Sequence, residues 1–240
     1  SRCMPELPEV ETSRRGIEPF LVGERIDNIQ VREARLRWPV QGDVVRNLSG
    51  QTIDSVTRRA KYLLINTGNG SAMIHLGMSG CVYIVDQGTP AGVHEHFGFD
   101  LASGKTLRYR DPRRFGSLHW TNNPEQHKLL KSLGPEPLGD EFDGEYLWNR
   151  ASGRSVNVKQ FIMNANVVVG VGNIYASESL FLAGINPQRA AGRIARPRYE
   201  KLAGVIQQVL HKAIDAGGTT LRDFYGGDGE AGYFKQELTV

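Results

Sequence analysis

Three short stretches of the 240-residue chain concentrate arginine and lysine where acidic residues are sparse. They are residues 14–15, 58–61 and 108–114. Clusters of this kind neutralise the phosphates of nucleic acid, although any one of them taken singly is more often a solvated face. The net charge of +3 does not by itself indicate a nucleic-acid partner. The distribution of the charge therefore says more than its sum.

A glycine-rich turn at residues 170–173 precedes a segment of helical composition. Free backbone N–H groups at the start of a helix bind phosphate without any side-chain charge. A simple helix cap is the commoner use of such a turn. The turn therefore predicts a phosphate contact only in combination with other evidence.

Metal chemistry has little support in the sequence. Cys3 and Cys81 are the only cysteines, which excludes a disulfide framework and a four-thiolate metal site. His94 and His96 lack further ligands nearby, so a surface pair is the expected interpretation. We therefore expect no metal in this chain.

The elements that must position these residues change in period along the chain. Residues 5–23 predict a helix, because Pro8 suits its first turn and Pro19 and Gly23 mark its end. Short runs rich in β-forming residues follow, separated by glycine turns, and indicate an antiparallel sandwich or barrel. These runs are residues 52–56, 62–65, 73–76, 81–85 and 106–110.

A run of glycine and proline at residues 133–139 predicts an interdomain linker. The sequence thus predicts an α+β chain, with a helix plus antiparallel β-sandwich in residues 1–132 and a helical domain in residues 140–240. The last predicted helix carries one apolar stripe. The predicted helices are residues 145–150, 156–163, 175–183 and 197–216.

Seven blocks of the sequence, in order, resemble bacterial formamidopyrimidine-DNA glycosylases, the base-excision enzymes for 8-oxoguanine and ring-opened purines. The resemblance runs from Pro5 to Val240, so coincidence is a poor explanation. It implies a helix–two-turns–helix element in the helical domain. It also implies double-stranded DNA with oxidised bases or abasic sites as the partner. The blocks are residues 5–11, 58–64, 75–80, 111–116, 169–178, 217–221 and 232–234.

The resemblance implies three catalytic residues. Pro5 would be the nucleophile that attacks C1′ of the damaged nucleotide. An α-amino group has a pKa near ~8 against ~10.4 for lysine, so more of it is a free nucleophile at pH 7. Glu6 would protonate the opening sugar, and Lys61 would contact phosphate and assist proton transfer. Without the resemblance, Glu6 would be a helix-terminus charge and Lys61 a solvated lysine.

Access to the target base requires flipping it out of the duplex, which leaves a hole in the stack. The resemblance implies that Arg113 pairs with the orphaned base while Met78 and Phe115 wedge the stack. The alternatives are core positions for Met78 and Phe115 and a surface ion pair of Arg113, for which Asp111 is the candidate partner. The adjacent glycines favour exposed loops.

Four further DNA contacts are implied by the resemblance. Asn173 lies in the glycine-rich turn, within a close match to the family pattern. The matches are looser around His94, Arg154 and Lys159, because residues 94–98 and 164–166 depart from that pattern.

Two features depart from the family. Its members usually end in a four-cysteine zinc finger, whereas this sequence ends at Val240, so zinc is expected only if such a finger exists in the native protein. Residues 1–4 also precede Pro5, whose nitrogen is therefore an amide in the sequence as written. The activity of this exact chain is accordingly left open.

The sequence predicts a base-excision-repair glycosylase with abasic-site β,δ-elimination lyase activity on oxidised purines. One alternative is an endonuclease VIII-like enzyme for oxidised pyrimidines, a group that tends to have Gly at the Leu7 position. Another is a non-catalytic binder of damaged DNA, and lesion choice is expected to depend on residues 219–233. No apolar run approaches the ~18 residues of a membrane span, and no signal peptide is present. We expect a cytoplasmic bacterial monomer, associated with the nucleoid through DNA.

Overall fold

The structure is a computed structural model that describes residues 5–217. Short 3-10 turns occur at Pro124–Gln126 and Ala191–Arg193. The helices are α1 (Leu7–Leu21), α2 (Gly42–Leu48), α3 (Gly144–Ala151), α4 (Val158–Met163), α5 (Asn173–Ala183) and α6 (Arg196–Ala216). The strands are β1 (Ile26–Val31), β2 (Ile53–Arg59), β3 (Tyr62–Thr67), β4 (Gly70–His75), β5 (Cys81–Asp86), β6 (Glu95–Leu101), β7 (Lys105–Arg110) and β8 (Ser117–Thr121).

The first of two compact units contains residues 9–127 and Pro5. Its strands form two four-stranded antiparallel sheets, in the orders β1-β6-β7-β5 and β2-β3-β4-β8. One buried apolar core takes side chains from both sheets and from α1 and α2. The predicted helix plus antiparallel sandwich is therefore confirmed.

Three strands and one helix of this unit were not predicted, namely β1, β6, β8 and α2. Strand β6 escapes prediction because its buried positions include Glu95, His96 and Asp100 rather than apolar residues alone. Each of these polar side chains has a hydrogen-bond partner in the unit, which makes its burial tolerable. Helix α1 also continues through Pro19, where its end was expected.

The second unit contains residues 128–216 together with residues 6–8. Its four helices match the four predicted ones within a few residues, and α6 buries the expected apolar stripe. Asp143 and Asn157 cap α3 and α4 through their side chains. Residues 133–139 form no helix or strand, yet Gly134 donates its N–H to Ala165 O at 2.8 Å.

Several predicted features lie outside the described residues. They are residues 1–4, the capping of a further helix by Thr219, the motif at residues 232–234 and the lesion-choice region at residues 219–233. Within residues 5–217, no helix combines the length and apolar composition that a membrane span requires.

Candidate active site and nucleic-acid interface

Glu6 is held at the N-terminus of α5, within the second unit. The residue is 1% exposed, and its carboxylate oxygens accept hydrogen bonds from three backbone N–H groups. The nitrogen-to-oxygen distances are 2.6 Å for Gly172, 3.1 Å for Ile174 and 3.3 Å for Tyr175. The first N–H groups of a helix have no acceptor within the helix, and the helix dipole favours a negative charge there. The carboxylate of Glu6 therefore sits in a built anion site.

The glycines of the turn are required by this close approach. A Cβ on Gly172 would lie 2.5 Å from Cδ of Glu6, and one on Gly170 would lie 2.6 Å from Cβ of Leu7. Gly170 also has φ of +81°, which glycine adopts without strain. The turn was expected to offer free N–H groups to phosphate. That interpretation is wrong for Gly172, Ile174 and Tyr175, because their N–H groups donate hydrogen bonds to the carboxylate of Glu6.

Lys61 lies in the two-residue turn between β2 and β3, immediately before the first residue of β3. Ala60 supplies the left-handed position with φ of +54°, and Arg58 donates to its carbonyl at 3.0 Å. On the neighbouring strand, burial and then the positive charge of Lys61 lower the pKa of His75 to about 4. His75 is therefore neutral near pH 7, and its Nδ1 accepts the N–H of Gly77 at 2.9 Å.

The three predicted wedge residues lie on two loops of the first unit and not in its core. Phe115 is 41% exposed, Arg113 is exposed and Met78 is half-buried. The guanidinium of Arg113 lies over the ring of Phe115, 5.1 Å from its centroid. An arginine and an aromatic ring are thus presented together to solvent.

The alternative ion pair of Arg113 with Asp111 is wrong. The Asp111 carboxylate is fully buried and accepts from Ser79 Oγ, Tyr109 Oη and the N–H of Gly116. Among the described residues, Arg113 forms no salt bridge. Its charge is therefore not paired with a carboxylate among residues 5–217.

The two histidines of the 94–98 segment separate in the structure. His94 is exposed, with φ of +70°. His96 is buried, and its Nε2 lies 2.6 Å from Asp111 O, so the expected surface pair is wrong for this residue. Within residues 5–217, no three His, Cys, Asp or Glu side chains are grouped to hold a metal ion.

The remaining predicted DNA contacts lie in the second unit. Asn173 is the exposed first residue of α5, Arg154 is exposed, and Lys159 is half-buried in the first turn of α4. Gly192 donates its N–H to Arg154 O at 2.9 Å, which fixes the backbone at that position. The contacts of these residues with DNA stay predictions, as do the catalytic roles of Pro5, Glu6 and Lys61.

Each of the three basic clusters contributes at least one arginine to an ion pair within the first unit. Glu11 accepts from Arg14 at 2.9 Å and from Arg58 at 3.3 Å. Burial alone would raise the pKa of Glu11, but hydrogen bonds from Arg14 and Arg15 outweigh it and lower that pKa. Arg108 is buried against Glu95 at 3.3 Å. These arginines therefore serve the fold, and the alternative of a solvated face is wrong for the buried Arg108.

The comparisons with known proteins bear on the whole chain. Family profiles described as the formamidopyrimidine-DNA glycosylase N-terminal domain and H2TH domain match residues 4–118 and 133–225. Formamidopyrimidine-DNA glycosylase from Stutzerimonas stutzeri is 60% identical over 237 residues, which are 99% of this chain and 88% of that protein. The Pseudomonas entomophila protein is 61% identical with the same coverage.

Solved structures agree with these sequence relatives. The Lactococcus lactis enzyme bound non-covalently to DNA with an abasic site has a TM-score of 0.82 at 32% identity, covering 89% of this chain and 83% of that one. A second complex of that enzyme with abasic-site DNA has a TM-score of 0.83 at 31% identity, covering 95% and 84%.

The fold and these relatives define a DNA glycosylase, with a sandwich unit followed by a helix–two-turns–helix unit. The chain belongs to the formamidopyrimidine-DNA glycosylase family.

Proposed function

We propose that the chain is a base-excision-repair glycosylase that removes oxidised purines from duplex DNA and cleaves the resulting abasic site. In this scheme the secondary amine of Pro5 attacks C1′ and displaces the base. The bond between C1′ and the ring oxygen then breaks, Glu6 protonates that oxygen, and the amine nitrogen forms a cationic iminium with C1′. The cationic iminium then acts as an electron sink for elimination of the 3′ and then the 5′ phosphate. The enzyme would act on the bacterial chromosome in the cytoplasm.

The observation that carries the proposal is the placement of Glu6 beside Pro5. A carboxylate fixed by three N–H donors has its position set before substrate arrives, which is what a group acting on the opening sugar requires. Exposed Arg113 and Phe115 add the chemistry needed to fill a vacated base position. The related Lactococcus lactis enzyme has been solved with DNA that contains an abasic site and with DNA that contains Fapy-dG, which supports a purine lesion.

The test compares two duplexes, one with 8-oxoguanine opposite C and one with dihydrouracil opposite G. The polypeptide beginning at Pro5 is expected to cut the first much faster. Preferential cutting of the second would favour the endonuclease VIII-like alternative. Tight binding of both without cutting would favour a non-catalytic binder. Glu6→Gln should abolish most cutting, whereas the matched control Glu24→Gln, remote in sequence from the motif, should not.

A further inference from the structure

Three loops of the first unit carry all of its predicted DNA contacts apart from Lys61. Residues 76–80 carry Met78, residues 87–94 end in His94, and residues 111–116 carry Arg113 and Phe115. Below, "the three loops" refers to these segments.

Asp111 is bonded to all three loops. Its carboxylate accepts from Ser79 Oγ at 2.7 Å and from the N–H of Gly116 at 2.8 Å. Its own backbone N–H donates to His94 O at 3.0 Å. Tyr109 Oη, 2.7 Å away, donates to the same carboxylate oxygen as Gly116. One fully buried residue, through its side chain and its backbone N–H, therefore joins segments that are up to 32 positions away along the chain.

Ser79 extends this connection to the backbone of Arg113. While its hydroxyl donates to Asp111, its oxygen accepts the N–H of Arg113 at 3.1 Å. The residue after Met78 thus holds the residue predicted to fill the vacated base position. Two of the loops also touch directly, since a Cβ on Gly77 would lie 2.5 Å from the nitrogen of Gly116.

We infer that Asp111 is a positioning residue that sets the three loops in advance for an extruded base. This inference rests on the proposed function. Ordering loops on binding costs affinity, and a scaffold that orders them beforehand removes that cost. The bonds from Tyr109 and Gly116 to Asp111 are buried, and leaving a buried donor without an acceptor is costly, so the arrangement is strongly fixed. The exposed side chains of Arg113 and Phe115 can then meet DNA without reorganising their backbone.

The test uses Ser79→Ala and Asp111→Asn in the full chain and needs no catalysis. Affinity is measured for a duplex with a tetrahydrofuran abasic analogue and for the same duplex intact. Each variant is expected to lose about tenfold of the preference for the abasic duplex, while affinity for intact duplex changes little. The matched controls are Ser55→Ala and Asp100→Asn, which alter a hydroxyl and a buried carboxylate elsewhere in the unit.

A double-mutant cycle separates positioning from general support. In the Arg113→Ala background, Ser79→Ala should cause no further loss of preference, because the side chain that Ser79 positions is gone. Equal losses on both duplexes, or additive effects in the cycle, would overturn the inference. Ser79→Ala keeps the test decisive if Asp111→Asn does not fold, as thermal unfolding will reveal. A parent chain with no abasic preference would instead contradict the proposed function itself.

Discussion

Glu6 and Asp111 are both buried carboxylates that accept three hydrogen bonds, yet their surroundings differ. Glu6 accepts hydrogen bonds from the N–H groups of Gly172, Ile174 and Tyr175, which lie at one helix N-terminus. Asp111 takes its donors from Ser79, Tyr109 and Gly116, which belong to separate segments. In the first arrangement the donors fix the position of the Glu6 carboxylate, which is itself predicted to protonate the opening sugar. In the second arrangement the Asp111 carboxylate fixes the positions of the segments that donate to it. Burial and hydrogen bonding alone therefore do not distinguish a reacting group from a support.

The largest expected effect concerns the residue beside Glu6. In a polypeptide that retains residues 1–4, the Pro5 nitrogen is an amide without an available lone pair. Such a chain should bind an abasic duplex but should not be trapped on it by borohydride. The polypeptide beginning at Pro5 should be trapped. Intact mass establishes each N-terminus, and efficient trapping of the longer chain at another residue would contradict the assignment of Pro5.

Gly172→Ala tests whether the position of Glu6 matters. The new Cβ would lie within 3 Å of three Glu6 side-chain atoms, so Glu6 must move while the helix remains. We expect excision by the Pro5 polypeptide to fall by about 100-fold with little change in duplex affinity, measured by single-turnover kinetics. Gly204→Ala in α6 is the control, because its Cβ meets no atom within 4 Å. Unchanged excision would show that Glu6 need not be held there.

The family resemblance implied a role for Glu6, whereas the sequence offered Asp111 only as an ion-pair partner of Arg113. A glycine turn before a helix predicts N–H groups that bind an anion, but this local pattern indicated phosphate and not Glu6, which is 166 positions from Gly172 along the chain. Asp111 joins residues 79, 94 and 116, and no local period predicts which loops meet. For the same reason β6 was not predicted. Its buried residues Glu95 and His96 are polar, and their partners Arg108 and Asp111 are known only from the structure. By contrast, the apolar stripe of α6 is periodic, and the predicted bounds of 197–216 differ from the observed ones by one residue.

The charges of both Lys61 and Asp111 act on the buried ring of His75, and this residue predicts a pH dependence of stability. Its folded pKa of about 4 lies below its ordinary value of 6.5, because the buried ring resists protonation. Above pH 6.5 the His75 ring is neutral in both the folded and the unfolded chain. As the pH falls towards 4, only the unfolded chain binds the extra proton, and the free energy of unfolding decreases by about 3 kcal/mol. Chemical unfolding of His75→Asn should show a weaker acid dependence than the parent chain. Exposed His211→Asn is the control, and it should retain the parent's dependence.

Arg113→Ala sharpens the distinction between a support and the group it supports. Arg113 is predicted to meet only an unpaired base, whereas phosphate contacts are common to damaged and intact DNA. The variant should therefore lose about tenfold in affinity for the abasic duplex and little for the intact one. Equal loss on both, in a fluorescence titration, would make Arg113 a general phosphate ligand.

The smallest expected effect separates lysines and arginines that contact phosphate from those that serve the fold. Each neutralised phosphate contributes ~0.9 to the fall of log K per unit of log salt. Lys61→Ala and Arg154→Ala should each reduce that slope by about one if each meets a phosphate. Lys105→Ala is the matched control, because Lys105 pairs with Asp86 at the opposite end of β7 from Asp111. Titrations of an intact duplex over a series of KCl concentrations give the slopes. A slope unchanged by Lys61→Ala would exclude a contact between that lysine and a phosphate.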